Sequence, residues 1–532
     1  MKKKFYITTS IAYTNAPPHI GFALELVQAD ILARYHRILG EDVFFLTGTD
    51  EHGQKVVKAA EDAKKSPQEF VDVLSSRFKK LVEVLNLSND GFIRTTDKKR
   101  HWPTVQKIWS KLEEGGDIYI KKYKGFYCFG CEAFIREKDL ANGECPVHQT
   151  RPELIEEKNY FFRLSRYAKQ VKEEIEANKI KVVPGARKNE ILSFIEQGIE
   201  DISFSRPRKK VQWGIPVLSY IPKVGGIKST TYVWVDALVN YISGLGGLSF
   251  ISGVKNKYWP PDVQCIGKDI LKFHALIWPA ILIAAGLERP KNILVHGFIT
   301  SGGQKMSKSL GNVIDPFELV KKYGTDAVRY FLLREIPPTE DGDFTYEKFK
   351  QRYNADLANG IGNLLARTLT MAEKYWLGIV PKIPQNTPET LSLGKFVTSG
   401  WVGNFQESIK EELIKSISST ENFSFNNSLF SVITSVFICD GYIEHHKLYK
   451  PAEKLGNKKE KIDAVLYNVL EGIRHIAWIL LPFLPETANK IFEQLGLDPE
   501  KEKEKTFDET TKWGGLKPGT KFKKSKPLFP KI

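Results

Sequence analysis

The sequence predicts an α/β protein: a doubly wound parallel sheet interrupted by a cysteine-bearing insertion and followed by an α-helical bundle. Three observations predict it. Over residues 1–115 short apolar runs alternate with helical patterns, which is the mark of a parallel sheet covered by helices. Over 116–225 aromatics, a cysteine cluster and the basic run Arg206-Pro207-Arg208-Lys209-Lys210 break that alternation, and over 226–353 it resumes. Across 354–532 apolar residues recur at helical spacing through 354–377, 396–418, 427–448 and 461–493, with few strand signals.

In chain order, Lys4 to Ser10 reads as a strand, Pro17-Pro18-His19-Ile20-Gly21 as a rigid turn, and Phe22 to Leu39 as a helix. Strand, glycine turn and helix start together make an anion site, because the first backbone N–H groups of a helix lack partners and its dipole favours negative charge. Asp42–Thr47 reads as a second strand, and Gln54–Ala63 and Pro67–Leu85 as helices. Ligands of open α/β sheets bind outside the C-terminal ends of strands, so the loops at 13–21 and 48–53 mark the side where a site belongs. Residues 270–286 are apolar but carry Lys272, His274 and Pro279, which suits a buried helix better than a membrane span. After a Ser301-Gly302-Gly303 turn comes Lys305-Met306-Ser307-Lys308-Ser309. Two ammonium groups and two hydroxyls on a glycine-rich approach suit the holding of polyphosphate while its α–β bond breaks, since lysine is a compact charge that can neutralise a leaving pyrophosphate.

The length of 532 residues suits two to four domains, and the net charge of +15 favours a polyanionic partner. Five cysteines in such a chain form no disulfide framework, which points to a reducing cytoplasm. Met1-Lys2-Lys3-Lys4 is not the start of a signal peptide, because the apolar stretch behind it is short and cut by Thr8, Thr9 and Ser10. Cys128-Phe129-Gly130-Cys131 and Cys145-Pro146-Val147-His148 are separated by thirteen residues. Two such turns place Cys128, Cys131, Cys145 and His148 at the corners of a closed tetrahedral site, which suits one structural Zn²⁺. Cys265 and Cys439 lie in apolar runs and read as core.

The His19-Ile20-Gly21-Phe22 turn and the Lys305–Ser309 loop, in this order, resemble the class I aminoacyl-tRNA synthetases, whose paired motifs are written HIGH and KMSKS. Further segments look like the methionyl-tRNA synthetases within that class. The likeness implies a nucleotide-binding, Rossmann-like catalytic domain and an anticodon-binding helical domain. It implies ATP-dependent activation of L-methionine to methionyl-adenylate, then transfer to the 3′ adenosine of tRNA(Met), with Mg²⁺ carried by ATP. By the same likeness, His19 and Gly21 act at the phosphates and adenine, and Gly267 and Asp269 hold adenosine. Lys305, Ser307 and Lys308 bind the β,γ-phosphates. The methionine pocket falls on Ile11, Tyr13, Asp50, Trp234, Ala237, Leu238, Tyr241, Ile270, His274 and Trp278. Rings of Trp, Tyr and His suit a thioether, and Asp50 suits an ammonium group, although helix capping is a common role for an Asp so placed. Asn363 and Arg367, four apart on a predicted helix, and Tyr449 fall where the family reads the anticodon.

Phe22 departs from the motif, whose last position is a histidine. A phenyl ring donates no hydrogen bond, and losing such a donor removes about 3 kcal/mol of transition-state stabilisation. A slower but working enzyme is the expectation, with His52 or Asn15 taking up part of the task. The alternative is a catalytically weak or inactive zinc-containing tRNA-binding paralogue. Relatives acting on isoleucine, valine or leucine carry an editing insertion for which this chain has no room. The chain ends without the appended tRNA-binding module of some relatives, which suggests a monomer.

Overall fold

The computed structural model describes residues 2–130, 132–135, 137–146, 149–218, 228–247, 256–306, 311–382, 395–398, 401–448, 459–523 and 526–532. They form two compact units. The first comprises Lys3–Ala29 and Val43–His296, and the second Asp30–Asp42 and Gly297–Ile532.

The first unit begins with β1 (Lys4–Thr9), β2 (Ala12–Tyr13), α1 (Ile20–Ile38), β3 (Asp42–Asp50), α2 (Gln54–Asp62), α3 (Pro67–Val84), β4 (Gly91–Arg94) and α4 (His101–Glu114). Next come β5 (Ile118–Cys128), β6 (Ala133–Ile135), β7 (Glu153–Phe162), α5 (Leu164–Glu176), β8 (Lys181–Val183), α6 (Gly185–Glu196), β9 (Ile202–Ser203) and β10 (Ser205–Pro207). It closes with β11 (Ser229–Thr231), α7 (Val233–Leu238), α8 (Asn240–Ser243), β12 (Val263–Gly267), α9 (Trp278–Ala284) and β13 (Asn292–His296).

The main sheet has the order β2-β3-β1-β12-β13-β8, with β4 also on β3. Its registers Ile7↔Val263, Cys265↔Leu294, Ile293↔Val182, Tyr13↔Asp50 and Leu46↔Gly91 are all parallel. Phe5–Thr9 and all of Val263–Gly267 are buried, as strands covered on both faces must be. From β1 the chain turns to one side for β3 and later places β12 on the other side. That switch point opens a crevice outside the C-terminal ends of β1 and β12.

Within the 116–225 stretch, β5, β6, β7 and β9 form a separate sheet around the cysteine region. The rest of the stretch joins the main fold: β8 pairs with β13, and Val171, Ile175, Ile191 and Ile195 enter the principal core. Apolar periodicity could not distinguish these two parts. Residues 273–282 are buried, but the 270–286 stretch is not a regular helix. A 3₁₀ turn at Lys268–Ile270 and a π segment at Phe273–Ile277 precede α9. Pro279 accounts for the wide turn, since its ring would clash with the carbonyl of Ala275 in a regular α-helix.

The second unit contains β14 (Ile299–Ser301), β15 (Gln304–Lys305), α10 (Pro316–Tyr323), α11 (Thr325–Arg334), β16 (Gly342–Phe344) and α12 (Tyr346–Arg352). A π-helical stretch, Tyr353–Gly362, leads into α13 (Asn363–Trp376), β17 (Lys395–Thr398), β18 (Trp401–Asn404), α14 (Phe405–Glu421), α15 (Phe425–His445), α16 (Lys459–Leu480) and α17 (Pro485–Gln494). The helix expected from 396 instead begins at Phe405, behind a β17–β18 hairpin. Val397, Thr398, Val402 and two glycines weaken helix here. Asn404 then caps α14 by accepting from the N–H groups of Gln406 and Glu407. Arg329 is fully buried in this unit. Its guanidinium meets Asp30 Oδ2 at 2.8 Å and donates to the carbonyls of Phe483 at 2.7 Å and Pro482 at 3.1 Å.

Candidate active site

The crevice at the strand ends is organised by Glu25 of α1. The Ser10 N–H and hydroxyl both donate to its Oε1 at 2.7 Å, and His296 Nε2 lies 2.9 Å from its Oε2. Gly267 ends β12 beneath the exposed Asp269. A Cβ at Gly267 would fall 2.8 Å from Asp269 Oδ1 and 3.7 Å from the His296 ring, so only glycine leaves the strand end bare.

His19 folds back over the start of α1. The Gly21 N–H donates to His19 Nδ1 at 3.1 Å, and those of Phe22 and Ala23 to the His19 carbonyl at 3.1 and 3.3 Å. A Cβ on Gly21 would sit 2.9 Å from the imidazole, so glycine is what permits the fold-back. Helix-start N–H groups expected to be free for an anion are therefore largely engaged. In exchange His19, exposed on the turn, gains a fixed tautomer. A backbone N–H can only donate, so Nδ1 is a lone pair and Nε2 carries the proton. Phe22 is half-buried and packs edge-on against Phe78 of α3, with ring centroids 5.4 Å apart. His52 does not stand in for the missing histidine: it is buried, with Nδ1 2.6 Å from Asp236 Oδ2.

Rings gather behind β12. His274 Nδ1 lies 3.1 Å from the Ile270 carbonyl, which can only accept, so His274 Nε2 is the acceptor of the Tyr241 hydroxyl at 2.7 Å. Burial pushes the imidazole down to about 4, so it is neutral, as that pattern requires. Tyr241 meets the fully buried Trp278 at 5.9 Å between centroids. Trp234 is half-exposed and stacks flat on Phe273 at 3.8 Å. Ala237 and Leu238 are buried, while Ile11, Tyr13 and Ile270 are half-buried against the same core.

Asp50 ends β3 as the register partner of Tyr13. It does not cap α2, whose N-cap is Gly53. It is 7% exposed, and its Oδ1 is buried without a hydrogen-bond partner. Burial, with Asp236 and Glu132 nearby, pushes its carboxyl well above the ordinary range. Asp236 is different: His52 and His101 each approach it at 2.6 Å and hold its carboxyl low against burial. A buried carboxylate oxygen without a hydrogen-bond partner at a strand end is a candidate site for a cation.

In the second unit, β14 and β15 form a hairpin on Gly302 (φ 60°) and Gly303 (φ 77°). Two consecutive positive φ angles make this turn a place for glycine. The Gly303 N–H and the Thr300 hydroxyl donate to Asp343 Oδ1 at 2.7 and 2.8 Å, which holds that carboxyl low. Lys305 is exposed at the end of the hairpin, while Ser307 and Lys308 lie outside the described residues. Asn363 is exposed at the first position of α13. Arg367 pairs with Glu444 and lies 3.9 Å from Asp440, both on α15. Tyr449 lies outside the described residues.

Of the four expected metal ligands, Cys128 and Cys145 are buried, and Cys131 and His148 lie outside the described residues. The Cys145 carbonyl accepts from the Gln149 N–H at 2.8 Å, and the Cys145 N–H donates to the Thr150 carbonyl at 2.9 Å. Among the described residues there is no cluster of three or more candidate ligands, and no helix is long and apolar enough to cross a membrane.

Residues 5–150 and 131–369 match the model of the family described as tRNA synthetases class I (M). The chain is 43% identical over its whole length to a methionine–tRNA ligase of Caldanaerobacter subterraneus subsp. tengcongensis, covering 79% of that protein. It is 40% identical over 99% of its length to the methionine–tRNA ligase of Rhizobium meliloti, covering 98% of it. Its structure matches Mycobacterium tuberculosis methionyl-tRNA synthetase in complex with methionyl-adenylate, with a TM-score of 0.89 and 36% identity over 99% of this chain and 100% of that one. The chain belongs to the class I tRNA synthetases of this methionyl family. Likeness of this extent gives no support to the inactive-paralogue alternative.

Several residues that shape the site of this family member were invisible to motif reading. Glu25 is one: it meets His296, which the sequence offers with Gly297 as a weaker nucleotide-site candidate, only through the folded sheet. Asp236 sat inside a segment read for its aromatics. Phe273 was passed over for its neighbour His274. Glu132 and Asp343 carried no signal at all, since each acts through hydrogen bonds to residues distant in sequence.

Proposed function

We propose that this chain is a methionine–tRNA ligase, carrying out ATP-dependent activation of L-methionine and transfer to the 3′ adenosine of tRNA(Met). The observation that carries the site assignment is the unpaired, buried Oδ1 of Asp50, at the same end of the parallel sheet as the Tyr241–His274 ring cluster. Asp50 takes the substrate ammonium. The thioether lies among Ile11, Tyr13, Trp234, Ala237, Leu238, Tyr241, Ile270, His274 and Trp278, where sulfur–ring contacts are favourable. Tyr241's one proton goes to His274, so the slot offers no free hydroxyl proton to a polar side chain.

The methionine carboxylate attacks the α-phosphorus of ATP in line, an anhydride bond forms, and pyrophosphate departs with the α–β bond. Positioning and charge stabilisation carry such a displacement. His19 Nε2–H donates to phosphate oxygens, while Gly21, Gly267 and Asp269 hold the adenosine. Lys305, Ser307 and Lys308 neutralise the leaving pyrophosphate, and Mg²⁺ arrives with ATP. The terminal adenosine hydroxyl of the tRNA then attacks the adenylate carbonyl and releases AMP. Asn363, Arg367 and Tyr449 read the anticodon, Arg367 exchanging Glu444 for a base. Cys128, Cys131, Cys145 and His148 would hold a structural Zn²⁺, which would brace the β5–β6 region. The buried thiols suit a reducing cytoplasm.

Amino-acid-dependent ATP–pyrophosphate exchange tests the reading. Exchange is expected with methionine and not with isoleucine, leucine, valine or cysteine. Asp50→Asn is expected to lower kcat/KM for methionine by about a hundredfold, the worth of a buried charge-assisted pair. A folded protein that exchanges with none of these amino acids would overturn the proposal.

A further inference from the structure

Glu132 directly follows Cys131 and adopts a left-handed backbone, φ 49°, although it carries a Cβ. Such strain persists only where neighbouring interactions hold it. Here it turns a carboxylate inward, to 6% exposure. Oε2 accepts from the Tyr13 hydroxyl at 2.8 Å, and Oε1 from the Lys55 backbone N–H at 3.1 Å. The Lys55 ammonium donates to the Gly130 carbonyl and lies 5.9 Å from the centroid of the Tyr13 ring. Gly53 leaves room for this closure, since a Cβ there would fall 2.6 Å from Tyr13 Oη and 2.8 Å from Glu132 Oε1. Three segments distant in sequence thus close round one carboxylate.

A phenol has a single proton, and that of Tyr13 is engaged by Glu132. What the oxygen can offer to anything else is a lone pair. Tyr13 is also the register partner of Asp50, so the two side chains leave adjacent strands on one face. We propose that Glu132 is a positioning residue which, by holding the Tyr13 proton, makes Tyr13 a second hydrogen-bond acceptor for the ammonium group of the substrate, beside Asp50 Oδ1. The inference rests on the assignment of Asp50 and Tyr13 to the ammonium side of the methionine site. An ammonium brings three donors and is best bound by several acceptors, whereas a hydroxyl presenting its proton would oppose it. Glu132 therefore sets specificity for a charged α-amino group without touching the substrate.

Glu132→Gln tests this at nearly constant shape. A glutamine has one acceptor oxygen for two donors, and its NH₂ can only donate, so Tyr13 would accept from it and turn its own proton outward. The full chain is titrated calorimetrically, without ATP, with L-methionine and with 4-(methylthio)butanoate, which lacks the ammonium. Glu132→Gln is expected to weaken methionine binding by about tenfold, the worth of one charge-assisted hydrogen bond, and the analogue by less than about twofold. Adding Tyr13→Phe to Glu132→Gln is expected to weaken methionine no further, because no misdirected proton remains. Tyr13→Phe alone, which should fold even if Glu132→Gln does not, is expected to show the same selective loss. Equal weakening of both ligands, or unchanged methionine binding in Glu132→Gln, overturns the proposal. If Asp50→Asn also binds methionine like the parent, the ammonium-site assignment itself has failed; if Asp50→Asn loses binding while Glu132→Gln does not, only the role of Glu132 has.

Discussion

Asp50 holds a proton more firmly than an ordinary carboxyl, because burial is reinforced by the acids Asp236 and Glu132. A bound ammonium reverses that balance and lowers the carboxyl pKa. Between the raised value of the free protein and the lower value of the complex, methionine binding must release a proton, so affinity rises with pH across that window. Calorimetry in buffers of different ionisation enthalpy, repeated across the acid range, is expected to detect this release within that window and to lose it in Asp50→Asn; equal heats in all buffers at every pH would contradict it. The family resemblance was enough to single out Asp50, but not to foresee its titration, since Asp236 and Glu132 arrive through tertiary packing alone. Phe22 shows a similar divide. A motif reading registers a lost donor, whereas the fold shows a ring packed on Phe78 and a turn in which Gly21 and His19 bond to each other.

At the level of elements, the turn of the β14–β15 hairpin is tied by side chain to one carboxylate oxygen, in addition to its strand pairing with β16. Asp343→Ala removes the acceptor of both the Gly303 N–H and the Thr300 hydroxyl. It is expected to cost about 1–3 kcal/mol of local stability. Pyrophosphate exchange is expected to slow about tenfold with the KM for methionine unchanged, because the hairpin carries Lys305 and not the amino acid slot. A change in methionine KM at constant kcat would place Asp343 elsewhere in the reaction. The first strand and the three helices between residues 4 and 85 were legible within a residue or two, whereas β3 runs three residues past Thr47 and the short strands β2 and β4 gave no pattern long enough to read. The Phe273–Ile277 and Tyr353–Gly362 π segments were not legible, since apolar spacing is read against a period of 3.6. The β17–β18 hairpin was lost in the same way, to a helical pattern that properly begins one capping residue later.

Over the whole molecule, buried neutral histidines set the response to acid. His274 titrates at about 4 in the folded chain, against 6.5 when unfolded. Below 6.5 the unfolded state therefore binds the extra proton, and stability falls as pH drops toward 4, by about 3 kcal/mol from this residue. His475 is pushed down by burial and Arg474 and acts with the same sign. Urea unfolding at pH 7 and pH 5 is expected to show a smaller loss for His274→Gln than for the parent; identical losses would locate the sensitivity elsewhere. The division into a sheet-based region and a helical region was legible because the two periodicities differ, whereas the return of β8 to the main sheet was not. Arg329 adds a constraint in time. Its charge is balanced by Asp30, synthesised long before it, and by the carbonyls of Pro482 and Phe483, made 153 and 154 residues after it. A nascent chain that has left the ribosome only as far as α11 carries an arginine destined for the interior with two of these three partners still unmade. The second unit can reach its final packing only near the end of translation, and until then this segment is a natural client for chaperones.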